Sequence, residues 1–133
     1  MRRVFAAFVG FAFLAGPVLP APGAASPPPQ REVRDVTVLQ HGKPVFQGTV
    51  DLGPTLDRIE RGGKAPYRHD GTVFGNREGR LPRKPSGWYR EYVVPTPGVS
   101  GAGPQRLVVG KDGEVYYTPD HYETFRHLNE RTR

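Results

Sequence analysis

No cysteine occurs among the 133 residues. That absence excludes a disulfide framework, a thiolate-bound metal and a catalytic thiol. Methionine and tryptophan occur once each, and hydrophobic residues make up only 36% of the chain. A polytopic membrane protein and a coiled coil do not fit that composition, and the length allows one small domain with at most a tail. Long apolar runs are also missing. The uninterrupted stretch Val4 to Gly16 has 13 residues, short of the roughly 20 that a membrane-spanning helix needs.

What the chain does have is glycine (17), proline (15) and positive charge, with 19 Lys+Arg against 13 Asp+Glu for a formal +6. Arg2 and Arg3 precede the apolar stretch, Pro17 and Pro20 break it, and Ala21 to Ser26 supplies small residues. This pattern predicts a secretory signal peptide over residues 1–25, cleaved after Ala25. Whether Arg2-Arg3 serves a twin-arginine route or an ordinary n-region stays open. Cleavage removes two arginines and no acid, leaving 108 residues, 17 basic and 13 acidic, at +4. A small basic protein outside the cell suits polyanionic partners: RNA, DNA, acidic glycans or anionic lipid.

Residues 26–30 are Pro-rich and read as a disordered linker. Val33, Val36, Val38 and Val45-Phe46 flank the turn-forming His41 to Pro44, so the extension 26–47 holds a possible hairpin. Pro54 to Arg61 places Leu56 and Ile59 on one face, with Gly62-Gly63 as a stop, and predicts a helix of about two turns. Strands are predicted at Thr72–Phe74, Trp88–Val94, Leu107–Val109 and Val115–Tyr117, the last two joined by the turn Lys111-Asp112-Gly113. One N-terminal helix packed on an antiparallel sheet is an α+β class, a single small domain expected over residues 48–133.

Four segments carry candidate chemistry: Phe74 to Pro82 (FGNREGRLP), Trp88 to Gly98 (WYREYVVPTPG), the lone Arg106, and Thr118 to Phe125 (TPDHYETF). A reaction that takes a proton from an attacking hydroxyl and gives one to a departing oxygen needs a base and an acid. A carboxylate and an imidazole can divide these tasks near neutral pH. Glu91 sits mid-strand among aromatics, an odd place for a carboxylate unless it lines a cleft. The structural alternative is a solvent-facing residue paired with Arg90 or a cross-strand base. His121 has its own alternative, a turn histidine within a hydrogen-bond network. Arg106 can hold a phosphate in a forked pair of hydrogen bonds, or sit on a rim and give only positive field. Tyr122 can bond a phosphate oxygen or simply pack on Phe125. His41, His69, His121 and His127 show no metal-ligand spacing.

Taken in this order, the segments closely resemble the microbial guanyl-preferring ribonucleases, the small secreted enzymes of barnase and streptomycete type. The resemblance covers about residues 48 to 128 and includes Ala65-Pro66-Tyr67. It implies an endoribonuclease that cuts single-stranded RNA 3′ of guanosine through a 2′,3′-cyclic phosphate, with Glu91 as base, His121 as acid and Arg106 on the phosphate. It also implies that Glu78 reads the N1–H and N2–H₂ edge of guanine. Phe74 and Arg77 would stack on the base, and the amides of Gly75, Asn76 and Arg77 would donate to its carbonyl oxygen. No metal or other cofactor is expected, because the attacking group belongs to the substrate. A monomer free of the membrane after signal cleavage is expected, with a small acidic inhibitor of the barstar type as a possible partner.

The chain departs from the pattern in two places. Gly75 stands where relatives carry Gln, Glu or Ser, a mild change at a backbone contact. Ala102 stands where such enzymes carry a second arginine, four residues before Arg106. Arg68 or His69 is a candidate substitute cation. The gap leaves a second reading open, a catalytically weak RNA- or guanine-nucleotide-binding module. A third, an exported structural or adhesion domain, explains the charge but not the motifs.

Overall fold

A computed structural model describes residues 26–131; the expected signal peptide lies outside the described residues. The chain opens with a hairpin of β1 (Glu32–Gln40) and β2 (Lys43–Asp51). Its turn is the two-residue pair His41-Gly42, with φ of 50° and 74°, the left-handed pair that matches strand twist. Lys43 and Pro44, expected in the turn, belong to β2. Val33, Val36 and Val38 break the two-residue period of a strand, yet all three are buried. A register shift between Val33 and Val36 reconciles them. Asp35 takes up the extra residue at φ 54°, a left-handed conformation that Asp tolerates.

Helix α1 (Gly53–Glu60) follows, with Pro54 in its first turn. It ends as Gly62-Gly63 predicted. Gly62 N–H donates to Ile59 O at 3.0 Å and Gly63 N–H to Arg58 O at 2.9 Å, with Gly62 at φ 71°, a glycine-terminated helix end. Five strands then form one antiparallel sheet in chain order: β3 (Thr72–Phe74), β4 (Tyr89–Val93), β5 (Arg106–Gly110), β6 (Val115–Thr118) and β7 (Arg126–His127). Strand β7 is too short to show a sequence period.

Each sheet face is buried differently. Leu107, Val109, Val115, Tyr117 and Tyr92 pack with the hairpin valines, Leu52, Leu56 and Ile59 into the main core. The opposite face carries Tyr89, Val108 and Tyr116, with Phe74, Trp88 and Phe125 against them. The hairpin is thus part of the core, and a division at residue 47/48 would fall inside β2. The Pro-rich stretch expected as a loose linker is also bonded down. Ser26 N–H donates to Asp112 O (3.2 Å), Gln30 N–H to Leu128 O (2.9 Å), and Asn129 Nδ2 to Pro27 O (2.9 Å). Main-chain pairing to the C-terminal segment overrides the local disorder that proline suggests.

Asp70 locks the helix to the sheet. Its fully buried carboxylate accepts from Arg58 Nη1 at 2.5 Å, Ala65 N at 3.0 Å and Val93 N at 2.9 Å. Burial alone would raise its pKa; the Arg58 hydrogen bond, the two amides and the Arg58 charge outweigh burial and hold the carboxyl below its usual value. Asp70→Asn is expected to cost about 3 kcal/mol or more, because it leaves Arg58 uncompensated and one amide without its acceptor. The folded pKa is the depressed one, so this contribution is present above pH ~4 and is lost as pH falls through the folded value. Urea unfolding of both proteins checks it: the gap at pH 7 should shrink by pH 2.

Candidate active site

Alternation along the strands builds the site. Glu91 and Tyr89 of β4, Arg106 and Val108 of β5, and Thr118 of β6 share one sheet face, with Glu91 opposite Val108 and Arg106 opposite both Val93 and Thr118. Glu91 is half-buried at the sheet centre. Its Oε1 accepts from the Tyr122 hydroxyl at 3.0 Å. Arg90, the neighbour weighed as its partner, instead donates to Gly71 O at 2.9 Å.

Tyr122 and His121 come from the turn after β6. Both are left-handed, with φ of 71° and 54°, a strain that side-chain-bearing residues adopt only when their surroundings impose it. Here Thr118 and Pro104 do so. Thr118 Oγ1 accepts from Tyr122 N–H at 3.0 Å, and Pro104 O accepts from His121 N–H at 2.9 Å. Asp120 closes the turn by accepting from Thr124 N–H and Oγ1 at 2.9 and 2.6 Å. The Tyr122 phenol is pushed up to about 12, by burial first and then by the Glu91 charge. It is a hydroxyl donor at any ordinary pH. Its ring also packs on Phe125, at 6.4 Å between centroids, so the two roles weighed for it coexist. His121 stays exposed, its ring 5.0 Å from that of Tyr122.

Arg106 is only 8% exposed. Its Nη1 donates to Gly103 O (2.7 Å) and Gln105 O (2.8 Å) and reaches Ala102 O at 3.5 Å. Its Nε–H is buried without a partner. One corner of the guanidinium therefore holds the loop, and the buried Nε–H is a donor still unsatisfied. Ala102 is half-buried in this loop, between Gly101 and Gly103 at φ 75° and 61°. Arg68 and His69 are exposed in the turn before β3 and make no hydrogen bond or ion pair with Glu91, Arg106 or Tyr122.

The loop from Phe74 to Arg80 forms a pocket of about 190 Å³ against Tyr122 and Phe125. Asn76 shapes it. Its backbone is left-handed at φ 50°, its Nδ2 donates to Leu81 O at 2.9 Å, and its Oδ1 accepts from Leu81 N–H at 3.1 Å. With the side chain so engaged, what Asn76 offers a ligand is backbone. Phe74 stacks on Tyr122 at 5.2 Å and meets Phe125 edge-on at 6.0 Å. Arg77 is exposed beside Gly75. Glu78 is exposed and ion-paired with Arg80.

The sequence gives Arg80 no role, and Phe125 only that of a packing partner for Tyr122. Arg80 bonds Glu78, donates to Tyr122 O at 3.0 Å and lies 3.7 Å from Glu123. It ties the Phe74–Arg80 loop to the His121–Tyr122 turn. Both residues sit inside quoted motifs, and the five-residue spacing of Asn76 and Leu81 was the available sign that Arg80 rides on a closed loop. Among the described residues, no three His, Asp or Glu gather as a metal site, and no helix is long and apolar enough to cross a membrane.

The class is a small one-domain α+β protein whose sheet carries Glu91 and Arg106 on one face, with the His121–Tyr122 turn joined to Glu91 through the Tyr122 hydroxyl. The comparisons give the family. A ribonuclease family model matches residues 48–129, and the chain belongs to that family. It is 56% identical over 80 residues to guanyl-specific ribonuclease St of Saccharopolyspora erythraea, covering 57% of this chain and 79% of that one. Guanyl-specific ribonuclease Sa3 of Kitasatospora aureofaciens is 50% identical over 76 residues, covering 56% of this chain and about half (54%) of its own. The crystal structure of ribonuclease Sa2 with guanosine-2′-cyclophosphate superposes with a TM-score of 0.54 at 48% identity, over 59% of this chain and 85% of that one.

Proposed function

We propose that this chain is an exported endoribonuclease that cuts single-stranded RNA 3′ of guanosine without a metal. One observation carries the reading. Tyr122 walls the Phe74–Glu78 pocket with its ring while its hydroxyl bonds Glu91, so base reading and proton transfer meet at one residue. The guanyl-specific relatives supply the base preference.

In this mechanism Glu91 takes the 2′-hydroxyl proton as the 2′-oxygen attacks phosphorus. The P–O5′ bond breaks on the opposite side, and His121 gives its proton to the leaving 5′-oxygen. As charge builds on the non-bridging oxygens, the Arg106 guanidinium donates to one and the Tyr122 hydroxyl turns from Glu91 to another. Water then opens the 2′,3′-cyclic phosphate with the two proton carriers exchanging tasks. The Glu78 carboxylate accepts N1–H and N2–H of guanine. Its pairing with Arg80 is exposed and weak, so it orients the carboxylate without competing seriously for it. With alanine at position 102, Arg106 is the guanidinium that this loop contributes. The rate should sit below that of an enzyme with two, by roughly 30- to 1000-fold if nothing substitutes. A mature charge of +4 suits an acidic protein inhibitor.

The test is a fluorescent RNA with one guanosine, incubated in EDTA with the wild type and with His121→Ala. A single cut 3′ of that guanosine, missing in the variant, is expected. Binding without cutting by the wild type would favour the recognition-module reading that Ala102 motivates. Glu78→Ala should lower kcat/KM on GpC about ten- to a hundredfold, the worth of a bidentate base contact, and leave ApC nearly unchanged. Initial rates on the four NpC dinucleotides decide it; an equal fall on all four would remove Glu78 from base reading.

A further inference from the structure

A second cleft, of about 450 Å³, opens beside His121. It shares no residue with the Phe74–Glu78 pocket: Tyr122 lines one and His121 the other. The left-handed 121–122 turn separates them. On one side the second cleft is walled by the tip of the β1–β2 hairpin, including Leu39 and His41, and on the other by Gly103 and Pro104. The hairpin tip is held in place, because Val36 and Val38 just before it are 1% and 0% exposed in the main core. Gly103 O is also a carbonyl that Arg106 holds, so the cleft borders the phosphate-binding arginine.

The path of a substrate follows from this layout. With guanine in the Tyr122 pocket and the phosphate at Arg106, the 5′-oxygen departs toward His121, and its nucleoside continues into the cleft that His121 lines. The volume falls within the range of small-ligand sites, about 300–1,000 Å³. The ionisable side chains of the lining are His41, His121, Asp120 and Glu123, with no lysine or arginine. Such a wall accepts an uncharged nucleoside and disfavours a further phosphate. We infer that the hairpin tip Leu39–Gly42 forms the seat of the leaving nucleoside. This subsite is supplied by a segment that precedes the family-matched residues 48–129. The inference rests on the reading of His121 as the acid.

The experiment compares kcat/KM for GpA, GpC, GpG and GpU with that for hydrolysis of guanosine 2′,3′-cyclic phosphate, in which water replaces the nucleoside. Leu39→Ala combined with His41→Gly removes the wall, and glycine keeps the left-handed turn. The double variant should lose about tenfold on GpA and narrow the spread among the four dinucleotides. Its loss on the cyclic phosphate should be at least fivefold smaller. For the wild type, a 3′-phosphate added to GpA should improve kcat/KM less than twofold. Equal losses in both reactions, no loss on GpA, or a tenfold gain from the added phosphate would overturn the subsite. Val45→Ala, on an exposed part of the same hairpin, should leave GpA cleavage within twofold; a tenfold loss there would assign the effect to hairpin stability and overturn the proposal. A wild type inactive on every substrate would instead remove the ribonuclease reading itself.

Discussion

Glu91→Gln should cleave GpC about 10²- to 10⁴-fold more slowly than the wild type, the usual worth of a positioned general base. The amide has the shape of the carboxylate and still offers an oxygen to the Tyr122 hydroxyl, now 3.0 Å from Glu91 Oε1. What it cannot do is take a proton. The loss should therefore fall on kcat, with the affinity for guanosine 3′-phosphate within about threefold, since the Phe74–Glu78 pocket lies on the other side of Tyr122. A variant that keeps a tenth of the wild-type rate would mean that Glu91 only anchors Tyr122.

Arg106→Lys should lower kcat by about 10²- to 10³-fold despite preserving the charge. The guanidinium serves two directions at once: Nη1 holds the carbonyls of Gly103 and Gln105, while the buried Nε–H has no partner. A lysine has one ammonium and must choose. If it stays with the loop, the phosphate loses its donor; if it turns to the phosphate, the loop carbonyls lose theirs and the melting temperature falls. Parallel rate and melting curves distinguish these, and a rate within fivefold of the wild type would show that charge alone suffices. Ala102 sharpens the expectation, because no second arginine of this loop can cover the loss.

Much of the site was legible because its chemistry is written in short, rigid pieces. The alternation of Tyr89, Glu91 and Val93 gives Glu91 its face before any coordinates exist, and Asn76 in a Gly-flanked turn announces a left-handed residue. The helix end at Gly62-Gly63 is equally local. The misses share one physical cause: they depend on partners far along the chain. Residues 26–30 look disordered until Leu128, Asn129 and Asp112 are available to bond them. The valine spacing of β1 looks irregular until the bulge at Asp35 aligns it with β2. Arg80 reads as one more surface arginine until Tyr122 O comes within 3.0 Å.

The stitching of the two ends of the described chain also bears on when the protein becomes active. Asn129 is 4% exposed, takes the Val115 amide at 2.8 Å, and donates to Gly113 O and Pro27 O at 2.8 and 2.9 Å. Leu128 completes the cluster that also holds Val33, Val36 and Val38. A polypeptide growing from its N-terminus therefore makes the hairpin well before Leu107, Val115, Tyr117 and Leu128, which cover its apolar face, and these distant contacts close last. A chain that has emerged only as far as Val94 lacks Leu107, Val115 and Tyr117 of its core as well as His121. The folded sheet, and with it any cutting of RNA, waits on synthesis of the strands that follow the helix.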